Sequence, residues 1–159
     1  MFDAVSAGVP ASQALDFLRE NAILAKAGVT ELKFAVDGVT SVLNAFHIQV
    51  KDTNKVTAAF FTAQKYGKTT VEELTKKIGS SAPTARAAGL SFQELLATYA
   101  ELTKQGIDTA ESTTAIKATI KALIKPAEGA AEVFSDLNIQ VGLRAVREQG
   151  LFNVIHKIN

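Results

Sequence analysis

Any chemistry in this chain must come from a short set of side chains. There are two histidines, His47 and His156, and neither stands in a His-Glu-x-x-His or similar spacing that would set two imidazoles on one helix face around a metal. Each therefore reads as structural. Cysteine is absent, which removes thiol nucleophiles, thiolate metal sites and disulfides together. No Gly-x-Ser-x-Gly elbow and no phosphate-cradling glycine loop is present. The adjacent carboxylates Glu72 and Glu73 invite an acid–base reading, but neighbours on a helix point about 100° apart and do not converge. Each precedes a lysine by four residues, Lys76 and Lys77, the order that stabilises a solvated helix face. The expectation is no enzyme, with no catalytic residue, no metal and no cofactor.

Binding is a better prospect. Lys117, Lys121 and Lys125 recur every four residues beside the stripe Ile116, Ile120 and Ile124. They form either a solvated face whose cations favour a helix C-terminus or a basic strip for an acidic partner or DNA. Seventeen Lys and Arg against sixteen Asp and Glu leave a net charge of +1, so the chain as a whole has no pull on nucleic acid or anionic membranes. A DNA contact would rest on that strip alone. Phe60 and Phe61 are adjacent, and one helical stripe does not easily bury both rings. One ring is expected in the core and the other in a second contact; Ile23 and Leu24 raise the same question more weakly. The candidate interaction surface is thus Phe60, Phe61, Lys117, Lys121 and Lys125.

The elements that carry these residues read as helices. Alanine, the best helix former, makes up about a sixth of the chain. One kind of punctuation recurs, in which a glycine is followed by a Ser, Thr or Asp that caps the next helix: Gly28 to Thr30, Gly67 to Thr70, Gly89 to Ser91, and Gly106 to Asp108. Three of these caps have a Glu three residues on, the pattern of a capping box: Thr70 with Glu73, Ser91 with Glu94, and Asp108 with Glu111. Between the marks, apolar residues return every three or four positions. Over 31–46, Leu32, Ala35, Val36, Val39, Val42, Leu43 and Phe46 form one stripe, and over 92–104, Phe92, Leu95, Leu96, Tyr99 and Leu102 form another. Leu15, Leu18, Ala22 and Ala25 suggest a heptad-like seam over 11–27. A further helix starts at Asp52 and runs to about 66, and Pro126 suits the first turn of one reaching about Leu137.

The fold class expected is all-α, a compact bundle of about eight short amphipathic helices joined by tight Gly-plus-cap turns, forming a single domain over 1–159. Asn138 to Val141 is the one stretch ambiguous between helix and strand. The N-terminal residues lack the basic and apolar regions of a signal peptide, and no window holds the ~18 consecutive apolar residues of a membrane span. The chain reads as soluble.

From about Gly67 to Ile139 the order of these pieces resembles the core region of phage tail tape measure proteins. A helix opening Thr70-Val71-Glu72-Glu73-Leu74 leads to an Ala/Pro segment, then Ala87-Ala88-Gly89-Leu90-Ser91-Phe92-Gln93-Glu94. A Leu-rich helix, the Gly106-Ile107-Asp108 cap and a helix ending at Lys125-Pro126 follow. The stretches Ala35 to Phe46 and Ala4 to Pro10 are similar too. The resemblance implies a phage or prophage virion protein, made in the bacterial host cytoplasm and placed in the tail, which templates tail length and leaves ahead of the genome. It also implies self-association and contacts with tail-tube, tail-tip or tail chaperone proteins. Even fully helical, 159 residues reach only about 240 Å at ~1.5 Å per residue. The expectation is therefore a domain of a longer protein, with a standalone helical interaction module unrelated to phage tails as the alternative.

Overall fold

A computed structural model describes residues 9–125, together with Gly129, Glu132 and Asp136. Six α-helices follow one another: α1 (Ala14–Ala27), α2 (Leu32–Phe46), α3 (Thr53–Tyr66), α4 (Val71–Ala87), α5 (Phe92–Lys104) and α6 (Thr109–Ile124). Two 3-10 turns, Ala11–Gln13 and Val50–Asp52, lead into α1 and α3. Six α-helices rather than about eight thus stand among the described residues, and no strand does. The stretch Asn138 to Val141, His156 and the opening residues Ala4 to Gly8 lie outside the described residues; of the helix expected from Pro126 to Leu137, Glu132 and Asp136 are helical, but Gly129 is a turn residue at φ 88°, which no continuous helix through that point allows.

The turns show what each punctuating residue does. Thr70 and Ser91 form complete capping boxes with Glu73 and Glu94. Asp108 accepts the Glu111 N–H at 2.8 Å, but the return bond is absent, since two carboxylates repel where a hydroxyl and a carboxylate would not. Thr30 does not cap. Helix α2 starts after Glu31, whose side chain makes no capping bond, and the Thr30 hydroxyl is buried without a partner. Gly89 and Gly106 take the left-handed conformation (φ 89° and 96°) that closes α4 and α5, and in each turn the next N–H reaches back to the last helical turn, Leu90 to Ala85 and Ile107 to Leu102. Gly28 does not. Val29 takes the positive φ there (51°), and Thr30 N–H bonds Ala25 O at 2.9 Å. Glycine is needed at 28 for another reason: a Cβ would stand 2.6 Å from Val71 Cβ at the start of α4.

Helix α4 is the centre of the bundle and packs on α2, α3, α5 and α6. It buries Val71, Leu74, Ile78, Ala82 and Ala85. Its approach to α2 is set by small residues: a Cβ on Gly38 would lie 2.5 Å from Thr75 Cβ and 2.7 Å from Thr75 Cα, and one on Gly79 would lie 3.2 Å from Ser41 Oγ. Helix α1 covers α2 and α3, though only in part by the expected seam, of which Ala25 is buried and Leu18 packs against the core. Its buried face is Ala14, Phe17, Asn21, Leu24 and Ala25, while Leu15 is 76% exposed and Ala22 is exposed. The apolar pattern misleads because the true stripe runs through a polar residue. Asn21 is fully buried and donates Nδ2–H to Phe17 O at 2.8 Å, which satisfies half of its amide.

Candidate interaction surfaces

Lys117 and Lys121 project from α6 next to its buried face of Ile116, Ile120 and Leu123, and Lys125 follows as its C-cap. Across from them α4 contributes Lys77, Ser80 and Thr84, and together the two helices wall a groove of about 760 Å³. Its floor is apolar, with Ala118, Ile120 and the 37% exposed Ile124. No carboxylate lines it, and none of the four lysines makes an ion pair among the described residues. Lys77 was expected to pair with Glu73, and it does not. Glu73 Oε2 instead accepts the Thr70 N–H at 3.1 Å and lies 3.2 Å from each of the hydroxyls of Thr69 and Thr109, which are 2.8 Å apart. Two hydroxyl protons serve these three contacts, so Glu73 joins the start of α4 to the start of α6 and leaves Lys77 to the groove. The other expected pair, Glu72 with Lys76, is formed, and Lys76 also lies over the Phe34 ring.

The phenylalanines separate as adjacent helical residues must. Phe60 is wholly buried (0% exposed) and is no part of any surface, while Phe61 is half-buried against the core. In the other pair Leu24 is buried and Ile23 is half exposed. On the far side of the bundle a second groove, about 590 Å³, runs between α3 and α5 over Ala58, Ala63, Ala97 and Ala100, with the exposed Tyr66 at one end. Its charges are mixed, Lys55 and Lys104 with Glu101.

His47 is exposed and holds the left-handed position (φ 54°) that ends α2, where Ile48 N–H bonds Leu43 O at 2.9 Å. That is a backbone role. Asp52 likewise makes no capping bond and is held below the usual carboxylate range by the Lys55 ammonium 2.7 Å away. Among the described residues, no three His, Asp or Glu side chains gather closely enough to hold a metal ion, and no helix is long and apolar enough to cross a membrane.

Sequence reasoning missed a polar junction in the core. Tyr99 of α5 is fully buried, with its hydroxyl 2.8 Å from Ser81 Oγ of α4 and 2.9 Å from Thr113 Oγ1 of α6. Thr113 donates to Thr109 O, so the Tyr99 proton goes to Thr113 and the Ser81 hydroxyl either donates to Tyr99 or to Ile78 O. Burial pushes the Tyr99 phenol above its ordinary value of 10.0, against the smaller opposite pull of the two hydroxyls. The available signal was that Ser81 and Thr113 fall in phase with the apolar positions of their helices.

The profile of the phage-related minor tail protein family matches residues 1–157. The chain belongs to that family. It is also similar to the probable tape measure protein of Clostridium phage phiCD119, with 36% identity over 99 residues, 60% of this chain and 10% of that protein. The chain therefore matches about a tenth of the length of this curated relative. No solved structure gives a significant match. The order of helices and caps read as a tape measure core is thus the order of a minor tail protein, and the all-helical architecture is what the described residues show.

Proposed function

We propose that this chain is a packing domain of a longer phage tape measure protein, acting in tail assembly, tail length determination and genome ejection through helix contacts and not through catalysis. Its place is the virion tail. Its partners are tail-tube, tail-tip or tail chaperone proteins and further copies of itself, and DNA is a weaker candidate because the chain as a whole carries only +1. The observation that carries the reading is the family match along nearly the whole chain, with a tape measure protein as the similar relative. The fold supports it: a buried apolar core holds the helices together, and grooves remain between α4 and α6 and between α3 and α5.

An antibody against this segment, used on blots of source cells and of induced particles, tests the reading. A band far above 16.9 kDa that is enriched in particles is expected. A band at that mass which is absent from particles would favour the standalone interaction module and end the tail assignment.

A further inference from the structure

We propose that the lysine groove between α4 and α6 docks a second copy of this chain through the acidic stripe at Glu132 and Asp136, joining copies head to tail. The inference deepens the self-association proposed above and names its surface. Four ammonium groups, Lys77, Lys117, Lys121 and Lys125, line the groove with no carboxylate among its lining residues and no ion pair among the described ones. Like charges four residues apart on a helix repel, so a partner that neutralises them stabilises the arrangement.

The floor decides what kind of partner fits. Ala118, Ile120 and the partly exposed Ile124 offer apolar surface that phosphates do not use and that the side of a helix covers. The volume, about 760 Å³, is on the order of two turns of a helix roughly 10 Å across. Duplex DNA is the poorer fit, since the whole chain carries only +1.

The chain itself supplies the complementary element. Glu132 and Asp136 are helical and exposed, four residues apart, and they follow a turn at Gly129, whose φ is 88°. Carboxylates at this step repeat every ~6 Å along a helix, the same repeat as Lys117, Lys121 and Lys125. Exposure of both acids and the absence of ion pairs at the lysines among the described residues leave the two stripes open to another molecule. Because groove and stripe are different surfaces, the contact is heterologous and builds a ring or a filament rather than an isologous dimer.

The test is sedimentation velocity on the full 159-residue chain at about 50 mM and 500 mM salt, where screening differs strongly. Association at low salt, weakened at least tenfold at high salt, is expected. One variant carries Lys117→Glu, Lys121→Glu and Lys125→Glu; another carries Glu132→Lys and Asp136→Lys. Each alone is expected to stay monomeric with an unchanged helical circular dichroism signal, and an equimolar mixture is expected to associate, because opposite charges meet again at both new contacts. A Lys117→Gln, Lys121→Gln variant replaces the first if that one does not fold, with the same loss expected.

A parent chain that is monomeric at low salt overturns the proposal. So do variants that associate like the parent, which would leave self-association standing through another surface, such as the α3–α5 groove. A folded pair of variants whose mixture stays monomeric overturns it as well. A labelled duplex whose binding is lost with the lysines and kept without the acids would assign the groove to DNA instead. None of these outcomes touches the tail assignment, which rests on the size and location of the gene product.

Discussion

Helix α4 meets α2 on one side and α6 on the other, and the two contacts are built in opposite ways. Toward α2 the facing residues are small: Gly38 and Ser41 lie against Thr75 and Gly79, and backbones approach until no Cβ fits on Gly38. Toward α6 the outer residues are long and charged, so the helices close at their starts, through Glu73, Thr69 and Thr109, and leave a groove further along. The difference teaches where the molecule is committed and where it is open. Dispersion and burial are gained only where side chains let the helices touch, and lysines keep their ammonium groups in water by holding a surface apart.

The largest expected effect breaks the closed side. Helix propensity alone predicts that Gly38→Ala gains about 1 kcal/mol. The added Cβ would sit 2.7 Å from the Thr75 Cα, which has no flexible end to move, so overpacking of about 1–3 kcal/mol should prevail. Urea unfolding should show a net loss, and a net gain would mean that α2 and α4 slide apart freely. Gly79→Ala is the sharper control. Its nearest neighbour is the Ser41 hydroxyl at 3.2 Å, a rotatable group, so this variant should be near neutral or slightly stabilising.

Next in size is the polar junction that ties α4, α5 and α6 together on the closed side of the groove. Tyr99→Phe should cost about 1 kcal/mol, a modest loss because Ser81 and Thr113 keep backbone acceptors in Ile78 O and Thr109 O. It also has a pH signature. The folded phenol titrates above 10.0, so the folded state keeps its proton where the unfolded state loses it. This contribution to stability is intact below pH 10 and is lost as pH rises through the folded value. Denaturant melts taken from pH 9 to 11 should fall more steeply for the parent than for Tyr99→Phe; equal slopes would show that burial does not perturb the phenol.

Val29→Gly is expected to stabilise by about 1 kcal/mol, because a β-branched residue at φ 51° is strained and its side chain is 86% exposed, with little packing to lose. Thermal unfolding measures it, and a lowered midpoint would show that the strain is not there. The smallest effect belongs to the open side. Lys121→Ala should change monomer stability by less than about 0.5 kcal/mol, since the side chain is exposed and unpaired. A loss above 1 kcal/mol would mean that the groove wall carries structure as well as charge.

Much of the fold was legible in advance for identifiable reasons. The helices expected over 31–46, 53–66 and 92–104 appear as Leu32–Phe46, Thr53–Tyr66 and Phe92–Lys104, because apolar period and turn residues agree there. Where local signals conflicted, the reading slipped. In α1 the largest apolar residues of the buried face, Phe17 and Leu24, are joined through Asn21, so a search for apolar spacing settled on Leu15 and Ala22, one position out of phase. Thr30 looked like the other caps, yet a capping hydroxyl must reach an N–H two or three residues on, and α2 begins too late for that. Glu73 and Lys77 had the spacing of an ion pair, but a carboxylate with one backbone N–H and two hydroxyls within reach is held more firmly than by one solvated lysine.

The candidate site was half legible. Lys117 and Lys121 share α6 and Lys125 caps its end, so their common strip followed from spacing alone; that Lys77, forty residues before Lys117, stands opposite them did not.

Composition, capping residues and the three-to-four-residue apolar period by themselves determined that this chain is helical and where most of its helices start and stop; the ordered succession of its residues carries the resemblance to phage tail tape measure proteins. These depend on interactions between residues a few positions apart, which the linear order contains. Only the tertiary structure decided that Gly28 and Gly38 serve close approach rather than turning, that Phe60 and not Phe61 is wholly enclosed, that Tyr99 anchors three helices, and that α4 and α6 part into a basic groove. Each of these depends on which helix lies against which and at what distance, and that is settled by the packing of the whole core at once.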